Sequence, residues 1–434
     1  MATTITPTIV NVNVSVVYAP APSQLQQSGA IVSAGGTNLA ANAYTYLGSA
    51  TGLSAITATP LAITSLAWSG GTVTATVAAE TLTTGQVFTT IISGAVPAAY
   101  NGTYTATVAS TTTFTFPIAT NPGAETTPGT YTPPTSAFVI DAVTQHFAQG
   151  SAVGVYVLEL GQGATATADI TNLGTWLTNN PGVFYALELP PAWDGSALAT
   201  LANTYSSPNS KLYFFVTTTQ ANLTLYAGNK AVFAVVPYVG QAATEIQCGA
   251  FFYQWLANAP SAATPARQMN YRYIYGVTPW PYLANLTAIN TILTAFGNIV
   301  YPASEGGVST STIRNGTTMD GSQAMFWYAV DWFSINAKIN LANSIINGSN
   351  SNNPLYYNQT GINALLTVAQ DLANTSVSFG LNLTAVVTAT PFQTFINANP
   401  ADYAAGIYNG FAATITPQNG FTSITFAIAA VEFA

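Results

Sequence analysis

The segment from Gly161 to Ala166 has the residue spacing of a phosphate-binding loop. It reads Gly-Gln-Gly-Ala-Thr-Ala, which fits the G-x-G-x-x-G/A pattern, and it joins an apolar run at 153–160 to a helix-like segment. Glycines in such a loop let the backbone approach a pyrophosphate at a helix N-terminus. Glu188 ends the next apolar run and could bind a ribose, although it lies farther on than the usual spacing of about 20 residues. The pattern keeps a dinucleotide-binding enzyme as an alternative hypothesis.

Nucleophilic and metal chemistry lack the residues that they need. His146 is the one histidine and no Gly-x-Ser-x-Gly segment occurs, so the sequence does not predict a serine hydrolase. We expect His146 to be a hydrogen-bonded core or surface residue. Cys248 is the one cysteine and lies in an apolar run, which predicts a buried thiol. Metal sites built from cysteine and histidine are excluded by these counts.

Pairs of carboxylates could support glycoside hydrolysis, and acidic residues are few enough for each to stand out. Glu188 and Asp194 form one pair that is close in sequence, and Asp320 and Asp331 form another. Asp194 is, however, typical of a helix N-cap, and Asp320-Gly321 is typical of a turn. The sequence therefore predicts no set of catalytic residues, no cofactor and no metal, and the chain is predicted not to be an enzyme.

The composition favours association with other protein surfaces. Charged residues make up 5% of the 434 residues, where about 25% is usual, and charge is what normally keeps monomers apart. The net charge is −8 and no two of the 6 basic residues are adjacent, so direct binding of nucleic acid is not expected. No run of about 18 apolar residues occurs, and the N-terminus lacks the pattern of a secretory signal. We expect a soluble protein made in the cytoplasm.

Alternating apolar and polar residues predict a strand near each end of the chain. Residues 5–18 alternate valine with asparagine and serine, and residues 421–433 alternate again. Between 61 and 132, short β-rich runs separated by glycine turns predict a small β-sandwich. The turn around Asn101-Gly102 resembles that of small Ig-like inserts in phage structural proteins.

The rest of the chain mixes helices and strands. Strand and helix patterns alternate over 137–250, which predicts an α/β unit with a largely parallel sheet. Helices are predicted at 241–257, 287–301, 322–346 and 360–374, with β structure from about 377 onward. The predicted domains are an N-terminal β-arm (1–22), the start of the core (23–60), the inserted β-sandwich (61–132), the α/β domain (137–250), a C-terminal α+β domain (251–420) and a C-terminal β-arm (421–434).

Three segments of the C-terminal half resemble the contractile bacteriophage tail sheath family. The first is Tyr-Arg-Tyr-Ile-Tyr-Gly-Val-Thr at 271–278. The second is Arg-Asn-Gly-Thr-Thr-Met-Asp-Gly at 314–321, which contains the G-x-x-x-D-G turn of that family. The third is Tyr-Ala-Val-Asp-Trp-Phe at 328–333, on the helix that follows the turn. The order of the elements carries the resemblance, and the preceding α/β segment fits the same layout.

The resemblance implies an α+β and α/β multidomain fold, with a mixed-sheet sheath-like core, flanking helices, terminal β-strand arms and the inserted β-sandwich. It also implies a subunit that polymerises around a tail tube by exchanging terminal strands and contracts to drive the tube through the host envelope. The implied partners are further copies in stacked hexameric rings, the tail tube protein, and baseplate and terminator proteins, all in the virion tail. The arm residues that would pair between subunits are Val10, Val12, Val14, Val16, Ile424, Phe426, Ile428 and Val431.

Three charged residues are candidates for contacts between subunits or with the tube. Asp331 and Lys338 lie seven residues apart on one face of the 322–346 helix, as a solvated or intersubunit ion pair, and Asp371 lies on the next helix. Another phage head or tail protein, or an adhesin-like surface protein, is the alternative from a different class. An adhesin would stay monomeric and bind glycans.

Overall fold

The computed structural model describes residues 24–78, 82, 84–238, 245–281, 285–302, 310–351 and 354–422. The predicted strand at 5–18 and all eight predicted arm residues lie outside the described residues.

The described chain mixes strands and helices throughout. The strands are β1 (Gly29–Ser33), β2 (Tyr44–Leu47), β3 (Leu61–Ser69), β4 (Thr72–Val77), β5 (Val87–Ser93), β6 (Gly102–Ser110), β7 (Thr113–Pro117), β8 (Thr130–Tyr131), β9 (Val155–Glu159), β10 (Ala186–Glu188), β11 (Tyr213–Thr217), β12 (Val232–Val235), β13 (Tyr273–Ile274), β14 (Ile299–Pro302), β15 (Ser311–Arg314), β16 (Asn382–Ala389) and β17 (Phe411–Pro417). The helices are α1 (Pro134–Ala148), α2 (Ala166–Asn179), α3 (Ser196–Asn203), α4 (Gln247–Leu256), α5 (Leu286–Thr294), α6 (Ala324–Ser349), α7 (Gln359–Ser378), α8 (Phe392–Ala398) and α9 (Pro400–Ala404).

A six-stranded sheet forms the centre of the molecule, in the order β12-β11-β10-β1-β9-β2. All neighbours in it are parallel except β2, which is antiparallel to β9. Strand β1 is buried along its whole length, because helices cover both faces of the sheet. It comes from the chain before the inserted module, so segments on both sides of the insert build one sheet. The predicted largely parallel α/β unit is confirmed.

Two apolar layers flank this sheet. One layer contains buried side chains of α1, α4, α6 and α7. The other contains buried side chains of α2, α3 and α5. Local signals fix the starts of two helices: the Thr165 hydroxyl accepts from the amide of Ala168 at the start of α2, and the Asn358 side chain accepts from Gly361 at the start of α7. Because α2 and α6 belong to different layers, they lie on opposite sides of the sheet.

The inserted module has strands at all five of the runs expected from the sequence. Strand β8 pairs with both β3 and β5, which closes the predicted sandwich into a six-stranded barrel with the order β3-β4-β7-β6-β5-β8. Its interior holds Phe88, Phe114, Phe116 and Tyr131. The Ig-like character of the insert stays a prediction.

The predicted helix at 287–301 is wrong in its second half. Helix α5 ends at Thr294, and the chain turns at Phe296, whose φ is +63°. Asn298 then donates its backbone amide to the carbonyl of Ala234, and β14 follows. The apolar run continues through both elements, so its pattern did not reveal the turn. Pairing with the central sheet overrides the local helical preference.

The last two described strands form a small separate sheet. Strands β16 and β17 are antiparallel and form a two-stranded sheet, and α7 packs against β16. Between them lie the short helices α8 and α9. A further three-stranded sheet has the order β13-β15-β14, and its neighbours are antiparallel.

Candidate functional site: the two-stranded sheet and its surroundings

The amides of Gly161 and Gly163, in the glycine loop at 161–166, donate hydrogen bonds to carboxylates of the same chain. The carboxylate of Glu159 accepts from the amides of Gly35 (2.6 Å), Thr37 (3.0 Å) and Gly161 (2.7 Å). Its second oxygen also accepts from the hydroxyls of Ser33 and Thr37. A phosphate would have to displace a buried anion from these donors and would be repelled by it.

The second amide of the loop is occupied in the same way. Gly163 donates its amide to a carboxylate oxygen of Asp169 at 2.6 Å. Burial raises the pKa of Asp169, and the negative charge of Glu159 also raises it. The geometry therefore gives no support to a dinucleotide site, and the glycines serve the turn and its carboxylates.

The other residues with catalytic potential are buried in the core. Glu188 is fully buried, which raises its pKa well above the usual range and favours the neutral acid. The Cys248 thiol is buried beside it, and burial raises its pKa as well. Burial lowers the pKa of His146 to about 4, and its Nε2 lies 3.2 Å from the carbonyl of Val153. The predictions of a buried thiol and a hydrogen-bonded histidine are correct.

The prediction that Asp194 caps a helix is wrong. Helix α3 begins after Gly195, which occupies the N-cap position. The Asp194 carboxylate instead accepts from the Thr218 hydroxyl (2.9 Å), the Asn222 amide (2.9 Å) and the Tyr226 hydroxyl (2.8 Å). These donors follow β11 in the chain, and the sequence around Asp194 does not contain them.

Asp320 is part of a turn, as the sequence predicts. Its carboxylate accepts from the hydroxyl of Thr318 (2.7 Å), the amide of Ser322 (3.0 Å) and the indole of Trp327 (2.8 Å). Gly321 follows with a φ of +86°, and a side chain there would lie within 2.8 Å of the Phe296 ring. The turn thus precedes α6 in the chain and packs against Phe296, which follows α5.

Asp331 is not a surface charge, and the predicted pair with Lys338 is wrong. The Asp331 side chain is fully buried and accepts from the hydroxyls of Tyr213 (2.7 Å) and Tyr185 (3.0 Å). Its ion-pair partner in the described chain is Lys211, with 3.4 Å between Nζ and Oδ1. Burial raises the pKa of Asp331, while Lys211 and Tyr213 oppose that rise.

The described surface carries even less charge than the composition indicates. Most acidic side chains in the described segments are used internally, as hydrogen-bond acceptors for amides and hydroxyls. Lys338 and Asp371 are the two predicted contact charges that are exposed. Hydrogen bonding within the fold therefore leaves few acidic side chains of the described residues free for contacts with other proteins.

The two-stranded sheet leaves one edge without a strand partner in the described chain. Thr390 donates its amide to the carbonyl of Gly410. With the register of the two strands, the backbone amides and carbonyls of the even-numbered residues of β16 therefore point towards β17. The backbone amides and carbonyls of the odd-numbered residues point away from the partner strand, towards the two edges of the sheet. On β17 these include Ala413 and Ile415, which lie opposite Val387 and Ala385.

A glutamine side chain occupies the other edge, on β16. The Gln370 carboxamide accepts from the amide of Val387 at 2.9 Å, and its nitrogen lies 3.5 Å from the carbonyl of Ala385. Gln370 belongs to α7, which also covers the inner face of the sheet. The β16 edge is thus partly blocked, while no described strand lies beside β17.

The outer face of this sheet is uncharged and accessible. Val386 is 54% exposed and Leu383 is 65% exposed. The other side chains on this outer face include Thr384 and Thr416, and the Thr384 hydroxyl donates to the Thr416 hydroxyl across the strands at 3.1 Å. Neither β16 nor β17 contains a charged residue. The sequence predicted β structure here but not these residues; the alternation along 384–388 is the signal that marks the outward face.

The chain beyond β17 is anchored before it leaves the described region. Gln323 bonds Gly420 twice, accepting from its amide (2.9 Å) and donating to its carbonyl (3.0 Å). Gln268 donates to the carbonyl of Gln418 at 2.8 Å. Phe421, at the start of the predicted C-terminal arm, is 79% exposed. The tether therefore fixes the point from which residues 423–434 begin.

Two kinds of site are absent from the described part of the chain. No cluster of three or more His, Cys, Asp or Glu side chains that could hold a metal ion is found there. None of the helices described is long and apolar enough to cross a membrane.

The fold is similar to that of one chain in a solved baseplate structure. No protein-family model matches the sequence, and no curated protein matches it. A chain in the cryo-EM structure of the anti-feeding prophage baseplate, solved with 6-fold symmetry, has a TM-score of 0.55 and 11% identity, over 98% of this chain and 100% of that one. The sheath tail protein from Listeria innocua gives a TM-score of 0.42 and 10% identity, over 92% and 96% of the two chains. The predicted fold class is confirmed: this chain has the fold of a chain in the anti-feeding prophage baseplate.

Proposed function

We propose that the chain is a structural subunit of a contractile tail sheath, which polymerises around a tube by exchanging terminal strands. The whole-chain similarity to a baseplate chain supports a structural role, as do the residue motifs at 271–278, 314–321 and 328–333. The chemistry of the site supports it as well, because the groups that could do catalysis are buried or bonded to one another.

The observation that carries the proposal is the outer edge of β17. Sheet edges in soluble proteins are normally protected by charged side chains, proline, bulges or a covering element, because unpaired amides and carbonyls recruit other strands. The β17 edge has Pro417 at its last residue and no charge. Within the described residues it has no strand beside it. Such an edge is suited to accept a strand from another copy.

The proposed donors are the two terminal segments. Residues 5–18 and 421–433 have the alternating pattern of strands with one apolar face. In strand addition, main-chain hydrogen bonds give the affinity and alternate side chains give the register. The tether at Gly420 starts the C-terminal segment close to its own core, from which it would extend to a neighbouring subunit.

The neutral surface fits an assembly whose subunits must move against one another. Contacts made by strands and alkyl groups do not depend on a few fixed ion pairs, so subunit bodies can rotate while the exchanged strands stay paired. Lys338 and Asp371 remain the proposed charged contacts with the tube or with neighbours, because both are exposed. Tube, baseplate and terminator proteins are the proposed partners, and the virion tail is the proposed location.

Deletion of residues 1–22 tests the proposal. We expect the full chain to form rings or striated hollow tubes in negative-stain electron microscopy across a concentration series. The truncated protein should keep its circular dichroism spectrum and thermal transition but remain monomeric. Tubes from the truncated protein would refute strand exchange. Monodisperse full-length particles at every concentration, with or without tube protein, would refute the sheath role and favour an adhesin-like protein.

A further inference from the structure

Asparagine is followed directly by glycine at five positions in the sequence, and this pair has a chemistry of its own. The backbone nitrogen of the glycine can attack the side-chain carbonyl carbon of the asparagine, because glycine has no Cβ to hinder the approach. In a folded chain, the reaction needs a mobile asparagine side chain and a glycine amide that is not already hydrogen-bonded. The five asparagines are Asn101, Asn315, Asn347, Asn409 and Asn419.

The fold holds three of these asparagines away from the reaction. The side chain of Asn101 bonds twice to the backbone of Ala95, at 2.9 Å each time. The side chain of Asn315 donates to two backbone carbonyls, at 3.1 and 3.0 Å. Asn347 and Gly348 lie inside α6, where helical hydrogen bonds occupy the backbone amides.

The two remaining sites share one tripeptide. Asn-Gly-Phe occurs at 409–411 and again at 419–421. Both asparagines are exposed to solvent. Because the residues that follow each asparagine are identical, a difference in reactivity between the two sites must come from the fold.

The backbone amide that would attack is hydrogen-bonded at one site and free at the other. The Gly420 amide donates to the side-chain oxygen of Gln323 at 2.9 Å. The Gly410 amide has no acceptor among the described residues, although its carbonyl accepts from the amide of Thr390. The Thr390 carbonyl, which would complete that pair, accepts from the Tyr408 hydroxyl instead. The nucleophile is therefore available at Gly410 alone of these two sites.

We propose that Asn409 is the residue at which the folded chain deamidates first. A single long bond holds its side chain, from Nδ2 to Oδ2 of Asp402 at 3.3 Å. The Gly410 nitrogen loses its proton and bonds to Cγ of Asn409, and the side-chain nitrogen leaves with that proton as ammonia. Water then adds to either carbonyl of the cyclic succinimide and opens it, which gives aspartate or isoaspartate at position 409.

The products change the chain at the start of β17. Replacing Nδ2 by oxygen removes the donor to Asp402 and places two carboxylates beside each other. Isoaspartate also adds one carbon to the main chain before Gly410, next to the bond between Gly410 and Thr390. A sheet without charged residues thus gains a negative charge at its border. This modification does not depend on the proposed assembly.

Mass spectrometry of chymotryptic fragments tests the proposal, because cleavage after aromatic residues separates Asn409 from Asn419. The full chain is incubated at mildly alkaline pH, which favours loss of the amide proton, in buffer and in urea. In urea the two Asn-Gly-Phe segments should react at similar rates. In the folded protein Asn409 should react about fivefold faster than Asn419, which corresponds to one hydrogen bond of about 1 kcal/mol.

Two variants of Gln323 test whether the glycine amide is the cause. Gln323→Ala frees the Gly420 amide, so Asn419 should then react nearly as fast as Asn409. Gln323→Glu keeps an acceptor for this amide, so Asn419 should stay slow. Circular dichroism confirms that each variant is folded before its rates are compared.

The folded wild type alone can overturn the proposal. Equal rates at Asn409 and Asn419, or faster conversion at any of the other four asparagines, would contradict it. An Asn419 rate that is the same in folded Gln323→Ala as in the wild type would refute control by the amide hydrogen bond.

Discussion

The glycine loop and the β17 edge differ in how their backbone amides are satisfied. At the loop, Glu159 and Asp169 accept from the amides of Gly35, Thr37, Gly161 and Gly163. At β17, the outward amides of Ala413 and Ile415 have no strand beside them in the described chain. The loop has the sequence pattern of a binding site but is closed. The edge has no sequence motif but is open, so we propose the edge rather than the loop as the functional surface.

The largest effect is expected from removing one outward amide of β17. Ala413→Pro deletes a donor that points away from β16, which an edge strand tolerates. We expect it to abolish tube formation in negative-stain electron microscopy and to change the free energy of unfolding by less than about 1 kcal/mol. Ala413→Thr keeps the amide and should still assemble. Normal tubes from the proline variant would show that this edge accepts no strand.

Substitution of Glu159 in the closed loop should lower the stability of the fold and leave assembly unchanged. Glu159→Ala would leave several buried amides without an acceptor, so we expect the free energy of unfolding to fall by about 3–5 kcal/mol. Urea denaturation measures this, with the exposed Asn172→Ala as the control. A loss below about 1 kcal/mol would mean that water or another anion can replace the carboxylate, which would reopen the case for a ligand site.

Protonation of His146 should weaken the core, whereas the sheet edge should not respond to acid, because β16 and β17 contain no titratable residue. His146 has a pKa of about 4 when folded and about 6.5 when unfolded, so between these values the unfolded chain binds more protons. The free energy of unfolding therefore falls as the pH falls through this window, by up to about 3 kcal/mol from this residue.

Asp141 acts in the opposite direction. Burial raises the pKa of Asp141 from 3.8 to about 6. Its contribution to the free energy of unfolding therefore increases as the pH falls from about 6 towards 3.8. The His146→Phe variant isolates the histidine term: its stability, measured by urea denaturation from pH 7 to 4, should fall less than that of the wild type. Parallel curves for the two proteins would contradict burial of the neutral ring.

The smallest effect is expected at the blocked edge of β16. Gln370→Ala removes the carboxamide from Val387 and should cost about 1 kcal/mol in the free energy of unfolding. It also exposes a second sheet edge, so we expect added association, seen as earlier elution in size-exclusion chromatography or as lateral association of tubes. Gln370→Glu keeps an acceptor for the Val387 amide and should behave more like the wild type. Identical association of all three proteins would show that Gln370 does not protect the edge.

The regular elements could be predicted because their patterns are local. Apolar runs such as 153–160 predicted the parallel strands, and the apolar pattern over 322–346 predicted α6. The partners of Asp331 could not be predicted, because Tyr213 and Tyr185 lie 118 and 146 residues away in sequence. The open edge was equally hidden, since the direction in which the Ala413 amide points depends on the register with β16 rather than on its own residue type.

Amide hydrogen exchange along β17, compared between free and assembled subunits, tests the central claim most directly. Ala412, Thr414 and Thr416 bond to β16 within the subunit, so their amides should be protected in both states and serve as internal controls. Strand addition predicts that the Ala413 and Ile415 amides exchange at least about tenfold more slowly after assembly. Unchanged exchange at these two residues in fully formed tubes would contradict strand addition at β17.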